Sequence, residues 1–386
     1  MIFTLPRTDP QPAEGSLLYL NQFFLKNTLL LEAIDTEGID REQWNLRLGQ
    51  IKQFITDNNI QTVLIDTTVN PKILDWDQWV MAPTAIEILE NLSSITTTYI
   101  LTEDFAYYYN PRPGIVFFPT FLWIIGAKLI KTFFNHAHMK YDTIYDIDFE
   151  KKTKTVMSLN MNAVWHRIYL FSLLAGKSWF DNIGYSFYAK VGYQQNSSFQ
   201  RRLNDIVIVQ SLSQQERALA GSYSHLLPVQ IPGDENAEQK RMWMSGSTSV
   251  DSWIYRDYAI NLITETSLTD GILLTEKTCK PFMAYQIPIL IGPVGASQFL
   301  EDIGLDMFSD YIPWKTWDHI KDHKLKIRMI VEFLDNLLSR PTAKQDILST
   351  HQSFKSRLLK NKEYFHSQEL QSLLLHQIQQ IKSYTN

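Results

Sequence analysis

The sequence predicts an α/β protein of two facing, Rossmann-like, doubly wound domains followed by a helical tail. Three observations predict it. The chain has 386 residues, more than one domain usually holds. Short apolar runs alternate with stretches of helical apolar spacing, the pattern of a parallel sheet covered by helices. That alternation stops and restarts near residues 149–154, which gives domains at 1–150 and 151–345 and a tail at 346–386. Sheets of this class bind ligands beyond the carboxyl ends of their strands, so the cleft between the halves is the expected site.

The elements follow in order. Gln61–Asp66 (QTVLID) is a buried strand ending in an acid, and Trp79–Leu92 has helical spacing. Thr97–Thr102 is a strand closed by Glu103 and Asp104, and Gly114–Phe118 is another. Lys140–Lys154 is polar and marks the boundary. Beyond it, Thr155–Asn160 reads as a strand, Trp165–Ala175 as a helix and Ile183–Tyr188 as a strand. The polar stretch to Gly246 suits loops and short helices. Strand Tyr258–Thr264, helix Glu276–Gln286, strand Ile287–Gly292 and helices Ala296–Ile303 and Ile327–Ser339 come next. Ile347–Tyr384 is amphipathic and helical.

Composition narrows the class. The chain is 45% hydrophobic, 20% charged and 13% aromatic, which suits a large globular core. The single cysteine, Cys279, excludes an intrachain disulfide and a cysteine metal cluster, and it suits a cytoplasmic setting. Met1–Pro10 lacks the pattern of a signal peptide. The longest apolar stretch, Gly114–Ile130, is broken by Pro119 and Gly126, so no membrane anchor is expected. Residues 1–150 hold 10 basic against 19 acidic side chains, and the remainder 26 against 22. The positive half suits an anionic nucleotide, whereas the acidic half is a poor match for duplex nucleic acid.

The chemistry concentrates in Leu274–Pro293, LTEKTCKPFMAYQIPILIGP. A strand end delivers Thr275, Glu276 and Lys277 to a helix start. Lys277 can neutralise a diphosphate, the helix N-terminus adds N–H donors, and Glu276 can accept from ribose or sugar hydroxyls. The turn through Gly292, Gly295 and Ser297 opens the next helix and offers close backbone approach. Lys280 stands one turn beyond Lys277.

This segment resembles the donor-binding motif of the alpha-1,3-fucosyltransferase family and of fucosyltransferase-like proteins, many of them phage-encoded. The matching residues are Glu265 and Ser267, then Thr275-Glu276-Lys277, Ala284, Pro288 and Gly292-Pro293. Asn160-Met161-Asn162 with Arg167 resembles the family's phosphate-holding element, and Asp181–Gly184 the small-residue turn after it. The resemblance covers about residues 155–300. It departs at Leu262-Ile263, where the family has an aromatic residue, and at Thr266, where Asn is usual. It implies a GT-B-like glycosyltransferase that inverts the anomeric centre without a metal or other cofactor. Arg167, Asn160, Glu265, Thr275, Glu276, Lys277, Gly292, Gly295 and Ser297 would bind the nucleotide sugar.

An inverting transfer also needs a carboxylate base. Glu103 and Asp104 after one strand, and Asp66 at the end of another, are the candidates. The resemblance implies an acceptor that is a glycan or, from the phage-encoded relatives, a hydroxymethylated base in phage DNA; for DNA, Arg201-Arg202 and Lys240-Arg241 could form a local basic groove. A non-catalytic binding or structural protein that kept the fold is the alternative from another class. Asp146-x-Asp148 and Asp75-x-Asp77 resemble a metal-binding triplet, but their settings, a linker and a helix start, favour solvated acids. His136 and His138 are read as surface residues. No GxxxxGK[ST] loop is present.

Overall fold

The second half owes its core to strands that are buried along their whole length. Tyr258–Thr264 and Ile287–Ile291 are buried at every position, as expected of parallel strands covered on both faces. The computed structural model describes residues 2–4, 28–32, 41–66, 85–102, 109, 112–117, 149, 152–190, 199–227, 255–265, 268, 274–364, 372 and 379. The chain divides into two units. One comprises residues 1–135, 271–273 and 366–386; the other comprises 136–270 and 274–365. Both are mixed α/β with a parallel sheet.

In the first unit the strands are β1 (Ile2–Thr4), β2 (Thr28–Glu32), β3 (Thr62–Asp66), β4 (Thr97–Thr102) and β5 (Ile115–Phe117). All neighbours pair in parallel, in the order β1-β2-β3-β4-β5. Helices α1 (Arg41–Asp57) and α2 (Ala85–Ser93) connect them. Leu48, Ile51 and Ile55 of α1 join Ile88 and Leu92 of α2 in one core with Val63, Ile65 and Ile100. Val63 and Ile65 are two residues apart and share a strand face. Both helices thus cover the same side. An order that advances one strand at a time does this when each crossover has the same hand. Among the described strands this sheet has no reversal of order, whereas the sheet of the second unit has one.

There the strands are β6 (Lys154–Asn162), β7 (Gly184–Lys190), β8 (Tyr258–Thr264) and β9 (Ile287–Ile291), in the order β7-β6-β8-β9 and parallel throughout. The chain first adds β7 on one side of β6, then crosses back to add β8 on the other. That reversal puts a topological switch point between the carboxyl ends of β6 and β8. The helices are α3 (Trp165–Leu174), α4 (Phe199–Leu203), α5 (Ile206–Ser211), α6 (Gln214–Ser222), α7 (Glu276–Met283), α8 (Ala296–Asp302), α9 (His323–Leu338), α10 (Ala343–Ser353) and α11 (Lys355–Tyr364). α3 packs on α6 and α9, and α10 against β6, β8, α9 and α11. Arg357 fixes α11 by forking to Asp306 and Asp310 while stacking on Phe308 and Phe354. Among the described residues no helix is long and apolar enough to cross a membrane.

Candidate functional site

The switch point is built from buried polar side chains. Asn160, near the end of β6, is buried; its Nδ2 donates to Ser158 Oγ at 3.0 Å, and its Oδ1 accepts from the Thr264 hydroxyl. That bond ties the ends of β6 and β8 together across the reversal. α3 begins directly after β6 and turns its first residues onto the same place. Arg167 is 3% exposed and donates from Nη2 to the carbonyls of Thr264, at 3.0 Å, and Glu265, at 3.4 Å. A buried guanidinium held by main-chain oxygens is a fixed positive charge, and its field is strong because little water screens it.

His166, also buried, lies 3.0 Å from the Glu265 carbonyl through Nε2. A carbonyl only accepts, so Nε2 carries the proton. Burial, then the neighbouring Arg167 charge, lowers the imidazole pKa to about 3, and the ring stays neutral.

Glu265 links this layer to α7. Its carboxylate is fully buried and accepts from the Thr275 amide at 3.0 Å, the Thr275 hydroxyl at 2.7 Å and the Thr278 hydroxyl. Thr275 in turn caps α7, accepting from the Lys277 amide. Glu265 therefore serves as an anchor for the helix start, a favourable place for a carboxylate. Lys277 stands on the same turn, half-buried, with Nζ 3.2 Å from Thr275 Oγ1. Lys280 is buried and faces away from bulk water. Glu276 opens the helix, but its side chain lies outside the described residues.

The next strand end has another character. Gly295 takes a left-handed φ of 78°, which glycine adopts without a Cβ penalty, and begins α8. The first amides of α8 are already engaged: Asp318 accepts from Ser297 N at 3.1 Å and Gln298 N at 3.0 Å, and its carbonyl accepts from Gly295 N. Lys326, 1% exposed, donates to the carbonyls of Gly292, Pro293 and Asp318 at 3.2, 3.3 and 3.0 Å. Ser297 is fully buried. The turn expected to meet a ligand is filled by the protein's own side chains.

The structure thus gathers Asn160, Arg167, Glu265, Thr275 and Lys277 at one strand end and sets Gly292, Gly295 and Ser297 apart at another. Asp181–Gly184 lies at the amino end of β7, away from the switch point. Gly184 has a packing reason there, since a Cβ would fall 2.3 Å from the Tyr258 ring. Arg202 is committed to the Ala163 carbonyl and Asp205, so it does not extend a basic groove. The backbone of Asp66 ends β3. Its side chain, together with Glu103, Asp104, Ser267, Asp75, Asp77, His136, His138, Asp146, Asp148, Lys240 and Arg241, lies outside the described residues. His166, Thr264, Thr278, Asp318 and Lys326 were not singled out in the sequence. His166 had a signal, its place beside Arg167; the other four act through contacts distant in sequence.

Fold and site together define a parallel α/β unit with a cationic switch point at which a helix begins. No protein-family model, curated protein or solved structure matches the chain.

Proposed function

We propose that the second unit binds the diphosphate of a nucleotide sugar and that the chain is a cytoplasmic, fucosyltransferase-like, GT-B-type glycosyltransferase. The observation that carries the reading is the convergence of Arg167 and the first turn of α7, with Lys277, on the β6–β8 switch point. A helix N-terminus and two cations suit a leaving diphosphate, whose charge grows as the glycosidic bond breaks. In this reading Lys277 meets phosphate, Arg167 supplies a standing field, and Glu276 accepts from hydroxyls. Asn160, Thr275 and Glu265 hold these groups in register. The resemblance of Leu274–Pro293 to the fucosyltransferase donor motif supports the same assignment. Transfer proceeds with inversion, a carboxylate taking the acceptor's proton; Asp66, Glu103 and Asp104 are the candidates.

The test is a thermal-shift and donor-hydrolysis screen against nucleotides and nucleotide sugars, comparing the wild type with Lys277→Ala and Glu276→Ala. A donor that raises the wild-type melting temperature, and does so less in both variants, supports the reading. Equal shifts in all three proteins, or none with any nucleotide, would sink it.

A further inference from the structure

At the opposite end of α7 the chain carries a second polar assembly that ligand binding does not explain. The helix closes at Ala284, and Tyr285 takes a left-handed φ of 54° before β9 begins. A non-glycine residue holds that conformation only where its surroundings enforce it. Here four side chains do. Lys152, before β6, donates to the carbonyls of Ala284 and Tyr255, each at 2.8 Å. His351 of α10 lies 2.7 Å from the Tyr285 carbonyl through Nε2. Lys362 of α11 sits 4.2 Å above the Tyr285 ring. Phe149 stacks on His351, with centroids 5.0 Å apart, and meets Tyr285 edge-on. Gln286 is fully buried, accepts from Asn261 and donates to the carbonyls of Tyr255 and Tyr258.

Cations dominate the surroundings. Lys152 faces the turn from the sheet, Lys362 from α11, and Lys355 of α11 lies over Phe149. Lys280 is buried in α7 itself. Among the described residues the acid acting on Lys152 is Asp257, which also meets Lys154 and Arg256. α9, packed on α10, has Lys326 turned to three carbonyls and Asp335 to Lys177 and Trp179. His351 is fully buried, and among the described residues its Nδ1 has no hydrogen-bond partner. A proton on Nδ1 would thus be a buried donor without an acceptor, set beside a lysine.

We propose that His351, backed by Lys152, is a proton-operated latch: a proton taken up at Nδ1 releases the Ala284–Gln286 turn from α10 and α11 and loosens α7. Burial lowers the imidazole pKa to about 4 from an ordinary 6.5; the bond to the Tyr285 carbonyl opposes that shift and the Lys152 charge adds to it. The folded state resists the proton, so the latch holds above pH 6.5 and weakens as pH falls toward 4. Lys152, brought down to about 7 chiefly by burial, is already charged through most of that range. The latch stands on its own contacts; its bearing on Lys277 rests on the reading of α7 as the ligand-facing helix.

Hydrogen–deuterium exchange on the full chain without nucleotide tests the latch, with rates corrected for intrinsic pH dependence. Between pH 7 and 4.5, protection across 283–287 is expected to fall about tenfold or more, while 327–338 in α9 stays within about twofold. In His351→Gln, which keeps an amide donor and does not titrate, the fall should shrink to about twofold. In Lys152→Gln, which removes the neighbouring charge, it should be intermediate. Loss shared equally by α9, or an undiminished fall in His351→Gln, would overturn the proposal. The first comparison needs the wild type alone, so it decides even if a variant does not fold.

Discussion

The carboxyl ends of β8 and β9 are neighbours in one sheet, and each delivers the chain to a helix whose first turn holds a carboxylate. At β8 that carboxylate is Glu265, and the turn of α7 it anchors still presents Lys277 half-buried. At β9 it is Asp318, which takes the amides of Ser297 and Gln298, while the Lys326 ammonium fills the turn from within. Two junctions of similar local design therefore differ in use. One leaves its cation half-buried beside the hydroxyl that caps the helix; the other spends its cation on its own carbonyls. A glycine-rich turn before a helix is no sign of a ligand site until its donors are accounted for.

The widest break in the comparison comes from Lys326→Ala. Three buried carbonyls lose a donor and a cavity opens, so denaturant unfolding should show a loss of about 3 kcal/mol. Any nucleotide affinity, measured where the variant is folded, should stay unchanged; a selective loss of affinity would put the β9 turn back in the site. Lys277→Ala sharpens the other side. It should weaken nucleotide binding by about tenfold, near 1.4 kcal/mol, and leave the melting temperature of the free protein close to wild type. Calorimetric titration checks the first half and thermal unfolding the second.

Acid should act on the β8 junction through His166. His166 has its pKa lowered by burial and by Arg167 to about 3 from an ordinary 6.5. Unfolding frees the ring to take a proton, so its contribution to stability is full above pH 6.5 and is lost as pH falls toward 3. His166→Gln should flatten that part of the stability–pH curve. An unchanged slope would show that other groups carry it. The smallest effect is expected from Ser297→Ala. The Ser297 hydroxyl is buried without a partner among the described residues, so its removal should change stability by no more than about 0.5 kcal/mol and leave affinity untouched.

The two sheets carry a related lesson. The strand positions could be read in the sequence: Thr97–Thr102 and Tyr258–Thr264 fall where the apolar runs place them. Helix α7 begins at Glu276, where Thr275 caps it. α9 begins at His323, four residues before its apolar spacing is evident, because Asp322 caps it by accepting from Lys324 and Leu325. The winding was not readable. Whether a strand joins the sheet ahead of its predecessor or behind it is set by which buried faces meet, and both choices satisfy the same apolar pattern.

What the sequence determined by itself is local: where strands and helices lie, that Leu274–Pro293 is a strand–helix–strand unit, and that Arg167 and Lys277 are the cations near its start. Periodicity, caps and apolar runs act over a few residues and are written in order along the chain. The tertiary structure decided which of those groups are available. Glu265 is engaged by residues ten and thirteen positions away, and the β9 turn is closed by Asp318 and by Lys326, which reaches back 34 residues to Gly292. A buried polar group takes whatever partner the fold brings within about 3 Å, and that distance is a property of packing rather than of spacing in the sequence.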